Sequence, residues 1–149
     1  MKLMIAAALS HGAKLLILDE PTSGLDPVAR DELLDILYDY IQDEERGVLF
    51  STHITADVEK IADYITVMNA GRMWFTGLKD ELVEKYVIIK GDLADLPEDK
   101  KRDCIGLHST PQGFDAMLET DKAAGLPKSI ELDKITLDDM LVYIAREGR

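Results

Sequence analysis

The stretch KLLILDEPTSGLDP, Lys14 to Pro27, decides how the rest of the chain is read. LLIL (15–18) is short and wholly apolar, which predicts a strand buried on both faces of a parallel sheet. It ends in two adjacent carboxylates, Asp19 and Glu20. In open α/β sheets, ligands bind outside the carboxyl ends of the strands. Neighbouring side chains on a strand point to opposite sides. One acid can therefore approach a metal shell while the other, just past the strand, reaches a water molecule. That division of labour suits nucleotide hydrolysis, where Mg²⁺ neutralises phosphate charge and a nearby residue orients or deprotonates the attacking water. The competing reading is a solvated turn before Pro21.

Outward from this strand the elements alternate. Residues 2–12 read as a helix closed near Gly12, and Leu3, Ile5, Ala6, Leu9 and Ala13 fit a helix feeding directly into the next strand. That pattern argues against a signal peptide. After Asp26, a suitable helix cap, and Pro27 comes an amphipathic helix with Leu33, Leu34, Leu37, Tyr38 and Ile41 on its apolar face. GVLFS (47–51) reads as a second buried strand and TADVEKIA as a short helix. YITVM (64–68) and RMWF (72–75) are strands joined by the NAG turn. The rhythm predicts an α/β sheet, which the short helix LKDELVEKY leaves.

From about Tyr86 the character changes. YVIIKGD and DCIGLHS read as strands separated by the polar LPEDKKR. A looser Gly- and Pro-containing stretch follows from Thr110 to Pro127. Thr136 and Asp139 announce a last helix, with Leu137, Met140, Leu141 and Ile144 on its apolar face. These residues predict a small α+β appendage.

Composition narrows the classes. With 149 residues and 46% hydrophobic content, the chain can build a real core. Seventeen basic and 29 acidic side chains give a net charge of -12, which disfavours a nucleic-acid surface. The single Cys104 forms no internal disulfide, and it has no neighbouring Cys or clustered His for a metal site. No apolar run has the length needed to span a bilayer. His11 and His108 read as structural or exposed, and Tyr38, Tyr40 and Trp74 as packing residues.

LLILDEPTSGLD resembles the Walker B strand and D-loop of ABC-type ATPases, the nucleotide-binding subunits of ABC transporters. VLFSTH resembles their switch strand with its H-loop histidine, and DVEKIADYITVMNAGRMWFTG the helix and strand pair that follow. The resemblance covers about residues 1–85. It implies part of a P-loop NTPase-type (RecA-like) sheet-and-helix core, followed by the small α+β appendage over 86–149. By position, Asp19 would help hold Mg²⁺ and Glu20 would be the general base. Ser23, Gly24, Leu25 and Asp26 would form the D-loop across a two-domain interface. His53 would contact the γ-phosphate of Mg-ATP. The partners implied are a second ATPase domain and a transmembrane permease subunit, with the chain peripheral on the cytoplasmic face of the membrane.

Half of such a site is missing from the sequence. None of the ten glycines begins G-x-x-x-x-G-K-[ST], the phosphate-cradling loop. The family signature LSGGQ and the Q-loop are also absent. LSHGA (9–13) is a superficial lookalike, since it abuts the strand from which a helix should separate it. The expectation is a chain that begins in the helix just after the signature, with Met1 an internal methionine or a late start. Such a chain would be inactive alone and would self-associate through the surfaces it leaves uncovered. Two alternatives stand beside the transporter subunit. One is a non-transport ABC ATPase, disfavoured by the acidic charge and the short interval between Asp19 and His53. The other is a non-hydrolysing regulatory module, supported by the missing loop.

Overall fold

A computed structural model describes residues 2–147, with side chains from Ile5 onward. Met1 and the side chain of Leu3, both of which the sequence reading used, lie outside the described residues. Two compact units divide between Ala62 and Asp63.

The first unit runs α1 (Lys2–Ser10), β1 (Leu15–Asp19), α2 (Pro27–Ile41), β2 (Gly47–Ser51) and α3 (Thr55–Ile61). Gly12, at φ +62°, turns the chain out of α1. β1 and β2 pair in parallel, from Leu15 opposite Gly47 to Asp19 opposite Ser51. Asp26 caps α2 as expected, its Oδ1 accepting from the backbone N–H groups of Val28 and Ala29 at 3.0 Å each. Ile5, Leu16, Leu33, Leu34, Leu37, Tyr40 and Ile61 form the core.

Two expectations need correction here. Only one face of the strand pair is buried: Leu16 is buried and Leu18 half-buried, while Leu15, Ile17 and Leu49 are exposed, Ile17 by 72%. On α2 the buried tyrosine is Tyr40, not Tyr38, which is half exposed. Leu33, Leu37 and Tyr40 share a stripe at i, i+4 and i+7. The Tyr40 hydroxyl completes that stripe by donating to the Ala13 carbonyl.

The second unit opens with an antiparallel hairpin of β3 (Tyr64–Asn69) and β4 (Arg72–Leu78), turned at Ala70 and Gly71, both with positive φ. These strands pair only with each other, so the described strands do not make one continuous sheet. α4 (Lys79–Lys85) buries Leu82 and leads directly into β5 (Tyr86–Gly91). After it come α5 (Glu98–Asp103), β6 (Ile105–Thr110), β7 (Gly113–Glu119), β8 (Glu131–Lys134) and α6 (Leu137–Glu147). The sheet order is β6-β7-β5-β8, with every neighbouring pair antiparallel.

The stretch expected to be loose therefore contains β7, an inner strand of the largest sheet. Phe114, Ala116 and Leu118 of β7 join Ile89 of β5 in a buried cluster that includes Cys104. Burial pushes the Cys104 thiol up to about 11, so it stays an inert packing group. The polar LPEDKKR stretch holds the short helix α5. Trp74 lies against Tyr86, with ring centroids 5.5 Å apart. His11 and His108 are exposed; His108 Nδ1 lies 3.2 Å from the Asp115 carboxylate.

α6 begins with the expected reciprocal box. Its Asp139 carboxylate accepts from the Thr136 backbone N–H at 3.1 Å, and the Asp139 N–H donates to the Thr136 hydroxyl at 3.2 Å. Leu137, Met140, Tyr143 and Ile144 are buried, with Tyr143 in place of the expected Leu141. Asn69 Nδ2 donates to the Ile144 carbonyl at 3.0 Å, which ties the β3–β4 turn to the end of α6. No helix among the described residues is long and apolar enough to cross a membrane.

Gly106 decides how closely α6 approaches β6. It sits at φ +62°, and a Cβ there would lie 2.3 Å from the Tyr143 carbonyl oxygen and 2.8 Å from its Cα. Gly106→Ala should therefore lose at least about 1–2 kcal/mol from the left-handed backbone alone, and more from the clash. Urea unfolding measures this. An unchanged midpoint would contradict the close approach.

Candidate functional site

The in-register pairing of β1 and β2 brings the ends of both strands together, and the following residues build on that edge. Ser51, opposite Asp19, serves two groups at once. Its hydroxyl donates to Asp19 Oδ1 and accepts from the Glu20 N–H at 3.3 Å. The Ser51 carbonyl also accepts from the Glu20 N–H, at 3.0 Å. β1 is thus held to β2 one residue beyond its last paired position.

At Glu20 the chain turns through φ +46°, a left-handed conformation that costs a non-glycine residue roughly 1–2 kcal/mol. The turn sends the carboxylate towards the loop after β2, where Glu20 Oε1 lies 2.9 Å from His53 Nδ1. An ionised carboxylate only accepts, so Nδ1 carries the proton in this bond and Nε2 is left for an outside partner. The imidazole is 74% exposed, and an exposed pair of this kind contributes only about 0–1 kcal/mol. It does not by itself offset the strain at Glu20. Glu20 Oε2 is buried without a hydrogen-bond partner.

Beyond Glu20 the chain makes two successive turns. Ser23 N–H donates to the Glu20 carbonyl and Leu25 N–H to the Thr22 carbonyl, both at 3.1 Å. Gly24 takes φ +73° between them. Ser23 and Gly24 are exposed, Leu25 packs against the core, and Asp26 caps α2. Asp19, Glu20 and His53 are thus brought to one edge, with the turn of residues 23–26, exposed at Ser23, Gly24 and Asp26, following Glu20 in the chain.

Three neighbours of these residues escaped the sequence reading. Ser51 was within reach, because aligning LLILD with GVLFS in parallel puts it opposite Asp19. Thr22 and Asp57 were not. They are 0% and 1% exposed, and the Thr22 hydroxyl donates to Asp57 Oδ2. Nothing in the short helix TADVEKIA marks Asp57 as buried.

The donor set can be tested against the Mg²⁺ implied by the resemblance. Two carboxylates suit a hard cation that keeps waters and phosphate oxygens in its shell. The unpartnered Glu20 Oε2 is an acceptor for one such water. Among the described residues, no three acidic, His or Cys side chains converge as a metal cage of their own. The residues therefore fit the water-and-metal end of a nucleotide site.

Comparison with known proteins agrees with this architecture. A family profile described as "AAA domain, putative AbiEii toxin, Type IV TA system" matches residues 2–56, in keeping with the mixed α/β fold. The uncharacterized ABC transporter ATP-binding protein YxlF of Bacillus subtilis is 40% identical over 84 residues, 56% of this chain and 28% of that protein. The energy-coupling factor transporter ATP-binding protein EcfA2 of Halalkalibacterium halodurans is 35% identical over 120 residues, 76% of this chain and 42% of that protein. Human ATP-binding cassette sub-family A member 6 is 32% identical over 91 residues, 58% of this chain but 6% of that protein. The chain is homologous to the ATP-binding proteins of ABC transporters, and it spans less than half the length of the relatives it matches.

The strained turn gives a direct check on the site. Glu20→Gly should stabilise the protein by up to about 1 kcal/mol, since glycine takes φ +46° without penalty. Chemical denaturation measures it. A loss of stability would mean that the contacts of the carboxylate outweigh the strain.

Proposed function

We propose that residues 1–85 are the hydrolytic half of an ABC-type ATPase site, and that the whole protein is the ATP-binding subunit of a transporter. The observation that carries this reading is the Glu20 carboxylate at the ends of the parallel pair. One of its oxygens is engaged by His53, and the other is buried and unpartnered. The homology to ABC transporter ATP-binding proteins supports it independently.

In this reading β1 is the Walker B strand of a RecA-like core, residues 23–26 are the D-loop and His53 is the H-loop residue. Bound with Mg-ATP, the metal would neutralise phosphate charge, with Asp19 contributing to its shell. Glu20 Oε2 would take the proton from the attacking water, while Oε1 stays on the His53 Nδ1–H. Ser51 keeps Asp19 oriented. Protonated Glu20 then returns its proton to solvent as phosphate leaves. His53, through the nitrogen not used on Glu20, would contact the γ-phosphate of the bound nucleotide.

The partners follow from the same reading. A second ATPase domain would meet the exposed 23–26 turn, and a permease subunit would place the complex on the cytoplasmic face of the membrane. Residues 86–149 would act as an accessory domain. The exposed Leu15, Ile17 and Leu49 side chains support a further expectation, that the chain as given self-associates through this face.

Charge predicts how this chain behaves towards nucleotide. Without a Gly-rich loop and its lysine, Asp19 and Glu20 repel a triphosphate unless a metal intervenes. Calorimetric titration with Mg-ATP should therefore detect no binding and no turnover; micromolar affinity would overturn that expectation. In a protein that joins this segment to a phosphate-binding loop, Glu20→Gln should slow hydrolysis by roughly 10²–10⁴-fold. Near-normal turnover would remove Glu20 from the role of base.

A further inference from the structure

We infer that Thr22 and Asp57 form a buried latch that positions Glu20 against His53. The inference rests on the reading of Glu20 and His53 given above and extends it to two residues sealed from solvent.

Thr22 lies two residues past Glu20, and Asp57 lies four past His53, in the first turn of α3. Both are sealed from solvent, and the Thr22 hydroxyl donates to Asp57 Oδ2. The two loops that leave the strand pair are therefore joined twice. The outer link is the hydrogen bond between Glu20 and the exposed His53. The inner link is the hydrogen bond between Thr22 and Asp57.

The two links differ in strength for a physical reason. Water competes for the outer bond and weakens it. The inner bond has a carboxylate acceptor and no competing solvent, so breaking it leaves a charge buried. The inner link is the one able to hold Glu20 in its left-handed turn.

The rest of the Asp57 environment points the same way. Asp57 Oδ1 faces Arg30 Nε at 3.9 Å, too far for a hydrogen bond, and both atoms are buried without any other hydrogen-bond partner. Apolar residues of similar size often replace a buried ion pair at no cost in stability, so the pair is weak evidence for a purely stabilising role. What the carboxylate provides is a fixed point shared by three segments: the turn after Glu20, the first turn of α2 through Arg30, and the first turn of α3. Thr22 and Asp57 are positioning residues, and their effect on the site passes through Glu20 and His53.

The test reads the His53 ring directly, by imidazole ¹⁵N NMR on the full chain. Glu20→Ala sets the reference position for a His53 Nδ1 that has lost its partner. Thr22→Val, which replaces the hydroxyl with a methyl group, should move the Nδ1 resonance most of the way to that reference. Thr22→Ser should return it to the wild-type position. A Thr22→Val protein that melts earlier but leaves the resonance unmoved would show a structural role only and overturn the latch. If Glu20→Ala itself leaves the resonance unmoved, Glu20 and His53 are not paired, and both the latch and the functional reading beneath it fall. Should Thr22→Val not fold, Asp57→Asn takes its place. It keeps the size and a carbonyl acceptor but drops the charge facing Arg30, and it should move the resonance by a smaller step. No movement there also overturns the latch.

Discussion

The parallel pairing of β1 with β2 is the constraint on which the first unit depends. Parallel strands cannot be joined by a tight turn, so a crossover must return the chain to the same end of the sheet. α2 is that crossover, and its stripe of Leu33, Leu37 and Tyr40 packs on the strands it connects. Register does the rest. Because Asp19 stands opposite Ser51, the residues that leave the two strands start side by side, and Glu20 and His53 meet without a long loop. A slip of one residue would turn Leu16 outward and separate Asp19 from Ser51. Packing and chemistry therefore select the same register.

That pairing also explains why strain and burial gather at one edge. Glu20 lies in the left-handed region directly after a regular strand, where the ladder supplies a rigid anchor on one side. On the other side, the chain reaches the buried Thr22 and the cap of α2 within a few residues. Strained residues persist where the surroundings over-determine them. Here the surroundings are two carbonyl-capped turns, a helix cap and a buried carboxylate, all within reach of Glu20.

Much of this was legible in the sequence, for identifiable reasons. The apolar run ending in Asp19 and Glu20, the Asp26–Pro27 helix start and the Thr136–Asp139 box are local signals, and each appears in the structure. The errors came where long-range packing decides. LLIL alone could not reveal how much of its strand is covered, because a run of apolar residues looks alike whether one face or two are buried; the uncovered surface expected of this chain lies on that strand. Tyr38 and Tyr40 are both near the apolar stripe, and the Ala13 carbonyl, 27 residues from Tyr40, made the choice. β7 was hidden because Gly113 and Asp115 obscure the alternation of Phe114, Ala116 and Leu118. Thr22 and Asp57, 35 residues apart, have no shared sequence signal at all.

The bond from Asn69 to the Ile144 carbonyl bears on how the molecule can be taken apart. The resemblance of residues 1–85 to ABC-type ATPases leads one to expect a boundary near residue 85, whereas the two compact units divide at Ala62. A cut near 85 would separate Trp74 from Tyr86 and strip the hairpin turn of its hold on α6. It would leave a two-stranded ribbon, a structure of marginal stability in water, attached to the first unit. Pieces meant for separate expression are therefore better cut between the two compact units, after Ala62, than near residue 85.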